Sequence, residues 1–279
     1  MKHPFSYILG ALLLPLLSSC SSDDNVADSN GVTEVTFGIQ AEGTEQAAMT
    51  RAFDAPQNIL VLDCYGSSVT EKEFSDLTAV ALPLEHGVHD LYFVAATKKW
   101  SACSGSSLTV SWPSDTNGLN KVWGLHYQLT VTEETTFEEL LLPLVVAGIQ
   151  IVTYDKLPAT AATVEIEGPD MCTVLDVKTM QAAASGNEGL NYELNVATAA
   201  GVSTMSVMTY SFVPSSGSVG DIVITVKNAS DTEISSKTFS SVPVAAGELT
   251  YYSGYFFSDG ISVPLSYATD WSKTNAISY

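Results

Sequence analysis

Basic residues are scarce in this chain, and arginine is almost missing. Eleven Lys and Arg stand against 31 Asp and Glu, a net charge of −20, and Arg51 is the only arginine. Such a balance opposes electrostatic binding to nucleic acid or to an anionic membrane surface. Cysteine is also sparse, with four in 279 residues and no C-x-x-C spacing. That argues against a disulfide framework, though one bridge in an oxidising compartment stays open. Long apolar runs are missing too: the longest, residues 8–17, falls short of the roughly 20 residues a membrane-crossing helix needs. No nucleophile elbow, P-loop, dinucleotide fingerprint or zinc-protease helix motif occurs, so no catalytic residue is expected and no cofactor is implied. The acids are dispersed and offer no glycosidase-like carboxylate pair.

What is present begins with an export signal. Lys2 and His3 precede the apolar stretch, and small residues then lead into Leu17-Ser18-Ser19-Cys20. This reads as a lipobox, in which Cys20 takes a diacylglycerol and residues 1–19 are removed. An ordinary signal peptide with a chance cysteine is the alternative. Loss of Lys2 with the signal moves the net charge from −20 to −21. Residues 20–31 are polar and acidic, and read as a flexible tether.

From Val32 onward the periodicity is two, rich in β-branched and aromatic residues. Val35, Phe37 and Ile39 alternate with polar or small neighbours. Further runs begin at Ile59, Leu91, Val122, Val145, Thr163, Leu190, Met205, Ile222, Leu249 and Ile261, separated by Gly, Pro, Ser, Asn and Asp. Residues 133–142 alone could pass for a helix; the run is short and reads as a connector with at most one helical turn. The expected architecture is all-β, two antiparallel β-sandwiches in tandem, over residues 52–140 and 141–279.

Two histidines in Glu85-His86-Gly87-Val88-His89-Asp90 are close enough in sequence to suggest a metal. The turn and the strand after it would face them to opposite sides, so no metal is expected and a solvated hairpin entrance is. His126 alternates with apolar neighbours and reads as structural. Trp100, Trp112, Trp123 and Tyr127, if exposed, would offer stacking surfaces for sugars, but strand aromatics are more often core. Arg51 lies in Ala47-Ala48-Met49-Thr50-Arg51-Ala52-Phe53 between loop-like stretches, a single accessible target for an arginine-specific protease.

Taken together, these features resemble the fimbrillin family, the type V pilus subunits of Bacteroidetes. The resemblance is carried by the lipobox with its acidic tether and by the short β segment before Thr50-Arg51-Ala52. The strand pair of residues 58–66 and 87–96 and the strand-turn-strand of residues 242–255 carry the rest. Residues 142–147 depart from the family pattern by lacking a basic residue. The resemblance implies transthyretin-like sandwich domains and a lipoprotein at the outer membrane and cell surface. It also implies a cut between Arg51 and Ala52 that removes residues 32–51. Departure of the Val35, Phe37 and Ile39 strand would open a groove for a neighbour's donor strand, with Ile261, Val263, Leu265 and Tyr267 in segment 261–279 as the candidate. The implied partners are other pilus subunits joined head to tail and an arginine-specific protease, with adhesion as the role. A lipid-retaining anchor subunit and a glycan-binding surface lipoprotein are the alternatives.

Overall fold

The structure is a computed structural model; it describes residues 31–42, 55–78 and 80–257. Among these residues every regular element is a strand. The first nine are β1 (Val32–Ala41), β2 (Asn58–Tyr65), β3 (Ser68–Phe74), β4 (Val80–Glu85), β5 (Gly87–Ala96), β6 (Ala102–Ser104), β7 (Thr109–Ser111), β8 (Val122–Val131) and β9 (Phe137–Leu142). The second nine are β10 (Val146–Lys156), β11 (Ala161–Gly168), β12 (Val174–Asp176), β13 (Gln181–Ala182), β14 (Leu190–Asn195), β15 (Thr204–Phe212), β16 (Ile222–Asn228), β17 (Glu233–Phe239) and β18 (Leu249–Gly254).

Both halves of the chain repeat one strand order. In the first, a three-stranded sheet β4-β1-β9 faces a four-stranded sheet β3-β2-β5-β8. In the second, β15-β10-β18 faces β14-β11-β16-β17. Setting aside the short strands β6, β7, β12 and β13, each half places its first and fourth strands side by side, with the seventh on the other flank. A fifth sheet, β13-β12-β7-β6, is built from strands inserted into both halves and ties them together.

Alternation in sequence becomes alternation in burial. β1 shows it along its length: Val35, Phe37, Ile39 and Ala41 are buried, and the residues between them are not. They pack with Val80, Leu82 and Leu84 of β4, Leu140 and Leu142 of β9, and Ile59, Val61, Leu91 and Phe93 of the opposing sheet. Each large side chain removed from water in this way stabilises the fold by about 1.5–3 kcal/mol. The second half has its own core around Ile149, Ile166, Met171 and Ile224. A third cluster lies where the halves meet.

One expectation is corrected. Residues 133–142 are not a connector with a helical turn: Phe137–Leu142 is a strand, with Leu140 and Leu142 turned inward and Phe137 and Leu141 left exposed. The physical cause is non-local, because β9 is held as a strand by its ladder with β1. The expected all-β architecture of antiparallel sandwiches is present, with two parallel ladders within it. β1 runs parallel to β9, and β10 parallel to β18. Period-two patterning reports which face a residue occupies and is silent on strand direction.

The second core contains a polar flaw with a measurable consequence. The hydroxyls of Tyr192 on β14 and Thr209 on β15 are buried and neither has a hydrogen-bond partner of acceptable geometry. Burial pushes the Tyr192 phenol from 10.0 up to about 12, against a smaller opposing effect of Thr209. Below the unfolded value both states hold the proton, and the fold keeps its full stability. Between that value and about 12 the unfolded chain can ionise while the folded one resists, so stability falls as pH rises. The expected loss is about 2–3 kcal/mol. Tyr192→Phe should flatten this alkaline slope and leave neutral-pH stability unchanged or higher by up to about 1 kcal/mol. Urea midpoints from pH 8 to pH 12 test it, and an unchanged slope in the variant would refute the assignment.

Candidate functional site: the seat of the first strand

β1 occupies an unusual place in its sheet. Its residues Val32 to Phe37 pair with β4 in reverse order, Val32 opposite Glu85 and Phe37 opposite Val80. Residues Thr36 to Ala41 pair with β9 in parallel, Thr36 opposite Phe137 and Ala41 opposite Leu142. The two ladders overlap only at Thr36 and Phe37. Among the described residues β1 is the one ladder partner of β4 and of β9. Taking β1 away would leave two strands facing a gap one strand wide, with unpaired backbone groups on both sides and an apolar floor.

Of the predicted site residues, Val35, Phe37 and Ile39 therefore point inward against the floor of this seat, with 0%, 0% and 7% of their surface exposed. Phe37 packs on Phe93 with ring centroids 5.1 Å apart. Cys20, Arg51, Ala52, Ile261, Val263, Leu265 and Tyr267 lie outside the described residues.

The beginning of β1 is fastened by the turn between β4 and β5. The His86 backbone N–H donates to the Gly31 carbonyl, and its ring nitrogen Nε2 lies 3.0 Å from Thr33 Oγ1. Gly87, at φ +142, leaves room for Tyr65: a Cβ there would stand 2.9 Å from the Tyr65 ring, whose hydroxyl donates to the His86 carbonyl at 2.9 Å. His89 is not at a solvated entrance as the sequence suggested; it is 1% exposed. Its Nδ1 donates to Asp63 at 2.7 Å and its Nε2 to the Glu85 carbonyl at 2.8 Å, while Tyr65 stacks on the ring at 4.4 Å. The ring is thus held at both of its nitrogens, by a side chain on one side and by the main chain on the other. His86 and His89 do face different ways, one toward β1 and the other toward Asp63. His89 and Asp63 also border a cavity of about 340 Å³ between β3 and β4, rimmed by Thr70, Lys72 and Glu85.

The far end of β1 is fastened by Trp123, which the sequence marked only as a core or sugar-stacking aromatic. The indole Nε1–H of Trp123 donates to the Glu42 carbonyl at 2.9 Å, and the Glu42 N–H donates to the Leu142 carbonyl at 2.9 Å. The partners are 81 residues apart in sequence, which is why no local signal points to them.

Other chemistry is accounted for by packing. Trp100, Trp112 and Trp123 are 7%, 3% and 1% exposed, so the sugar-stacking surface they would have offered is closed. His126 is exposed, stacked on Tyr92 at 4.5 Å and bonded to Asp90. Cys64, Cys103 and Cys172 are free thiols. Burial raises all three, with neighbouring carboxylates adding to it, and Cys103 is pushed up to about 12. At neutral pH they are not thiolate nucleophiles. Among the described residues no cluster of three or more His, Cys, Asp or Glu could hold a metal ion.

The fold thus defines a class: two like-ordered seven-stranded sandwiches in series, the first completed by its own N-terminal strand. Known structures of this shape exist. A candidate adhesin from Bacteroides ovatus ATCC 8483 superposes with a TM-score of 0.51 at 13% identity, over 81% of this chain and 88% of that one. A candidate cell adhesion protein from the same strain gives 0.50 at 11% identity, over 85% and 96%. A fimbrial assembly protein from Parabacteroides distasonis ATCC 8503 gives 0.49 at 13% identity, over 80% and 91%. No protein-family model matches the sequence, and no curated protein matches it.

Proposed function

We propose that this chain is the precursor of a cell-surface fibre subunit, a fimbrillin-type pilin serving adhesion rather than catalysis. In it β1 is a provisional strand whose seat is later filled by a strand of another copy. One observation carries the proposal: among the described residues β1 alone joins β4 and β9. A chain that loses β1 must either refill the seat or expose an apolar groove, and a groove of this kind is a template for an incoming strand. The adhesin and cell-adhesion assignments of the similarly folded Bacteroides proteins are consistent with this reading.

In this proposal residues 1–19 export the chain and Cys20 carries the lipid that holds it at the outer membrane. The cut falls between Arg51 and Ala52, in the connection from β1 to β2. Residues 32–51 then leave with the lipid, while residues 52–140 and 141–279 remain as two domains. The neighbour's strand comes from residues 261–279, with Ile261, Val263, Leu265 and Tyr267 turned inward. Because donor and seat are different surfaces, the contact is head to tail and does not close into a ring.

Treating the folded lipoprotein with an arginine-specific protease tests the scheme. The expected product is one cut after Arg51 by mass, followed by a ladder of multimers on a gel run without boiling. Cutting without multimers would sink strand exchange, and binding to a sugar array would then favour a glycan-binding lipoprotein. Resistance at Arg51 would favour a subunit that keeps its lipid as an anchor.

A further inference from the structure

The two ends of β1 are held by bonds of different kinds. At its beginning the Thr33 side chain takes part, through His86. At its end the main chain takes part: the Glu42 carbonyl accepts from Trp123 Nε1, and the Glu42 N–H reaches Leu142. A bond to a main-chain carbonyl is available to a strand of any sequence. Trp123 is therefore equipped to hold whatever strand lies between β4 and β9.

The main chain that carries it is fastened to segments other than β1. Trp123 pairs with Ala95 on β5 along one edge of β8. Along the other edge it bridges Leu144, flanked by bonds from Gly124 N–H to the Pro143 carbonyl at 3.0 Å and from Val145 N–H to the Val122 carbonyl at 2.9 Å. Backbone on both sides sets where the side chain leaves β8, and the ring packs in the first core beside Val35, Phe37, Ile39 and Ala41 of β1 with its N–H directed at the end of the seat.

We infer that Trp123 is a positioning residue for the seat's occupant, gauging how far a strand must extend to fill it. The inference rests on the strand-exchange reading above. Pairing of alternate side chains with the floor tolerates a strand that stops early, since removing its last residues changes neither face nor direction. The indole adds a condition at the end: the occupant must reach one residue beyond the position of Ala41 and offer a carbonyl there. A strand that stops at the Ala41 position forfeits that bond.

The test uses the protein cut after Arg51 and two fluorescein-labelled peptides of its own sequence, residues 31–45 and residues 31–41 with an amidated end. Their dissociation rates are followed by anisotropy. Both are measured on the natural protein and on a variant carrying β-(3-benzothienyl)alanine at position 123, which keeps the ring shape and lacks the N–H. On the natural protein the long peptide should leave roughly 3- to 10-fold more slowly than its contribution-free counterpart, the range of one net hydrogen bond, beyond the ratio seen with the variant. Equal long-to-short ratios on both proteins would overturn the role of Trp123 and leave strand exchange standing. Failure of both peptides to bind the cut natural protein would overturn strand exchange itself, and the gauge with it. A long peptide with a thioamide at Glu42 gives a second reading that requires no altered protein. Its weakened acceptor should speed dissociation from the natural protein, and an unchanged rate would count against the bond.

Discussion

Phe37→Ala is expected to lower the stability of the uncut chain by about 3–5 kcal/mol, the range for removing a fully buried phenylalanine. The side chain has no exposed surface and packs on Phe93 of the opposing sheet. Its position aggravates the loss. Thr36 and Phe37 are where the ladder to β4 gives way to the ladder to β9, so a void here sits under the joint of the sheet. Thr36→Ala is the control, because it alters the same joint from the outward face and should cost less than about 0.5 kcal/mol. Urea unfolding of the chain from Ser21 onward reads both. A midpoint for Phe37→Ala within about 1 kcal/mol of the natural protein would mean that β1 is not integral to the first core. The strand-exchange proposal would lose its premise with that result, since a strand that contributes little leaves little to replace.

Legibility of this seat in the sequence follows the range of the interactions that build it. Val35, Phe37 and Ile39 declare themselves through strict alternation, and the apolar run of β5 marks a strand buried on both faces. β9 hides because its inward pair, Leu140 and Leu142, is blurred by Leu141 between them and by the acids before them. Only the parallel ladder with a strand about 100 residues earlier gives that pattern its meaning. β3 and β17 escape notice for the opposite reason: they are polar edge strands that lend few side chains to a core. His89 sits in a sequence that looks like an exposed turn. Its burial depends on Asp63, 26 residues away, and on the Tyr65 ring above it. Trp123 reads as one more strand aromatic until the Glu42 carbonyl is placed beside it. Face and burial are local in sequence, while direction, ladder partner and anchoring bonds are not.

Phe212→Ala should also cost about 3–5 kcal/mol, and should in addition divide one unfolding transition into two. Phe212, at the end of β15, is fully buried in the cluster between the halves and lies 5.3 Å from the Trp112 ring. Around it are Leu60, Leu62, Tyr92 and Val94 from the first half and Val146, Cys172 and Leu175 from the second. Its own N–H donates to the Cys172 carbonyl, so the backbone stays fastened while the ring is removed. What is lost is the packing by which the halves stabilise one another. Trp100, Trp112 and Trp123 belong to the first half and its boundary, so tryptophan fluorescence in a Trp271→Phe background follows that part, while far-UV circular dichroism follows both. The two probes should coincide in the parent chain and separate in the variant. Val164→Ala, confined to the second core, should lower stability without separating them. Coincident curves for Phe212→Ala would show that the small shared sheet of β6, β7, β12 and β13 suffices to join the halves. The separation of the two curves therefore reports how much of each half's stability is supplied by its packing against the other.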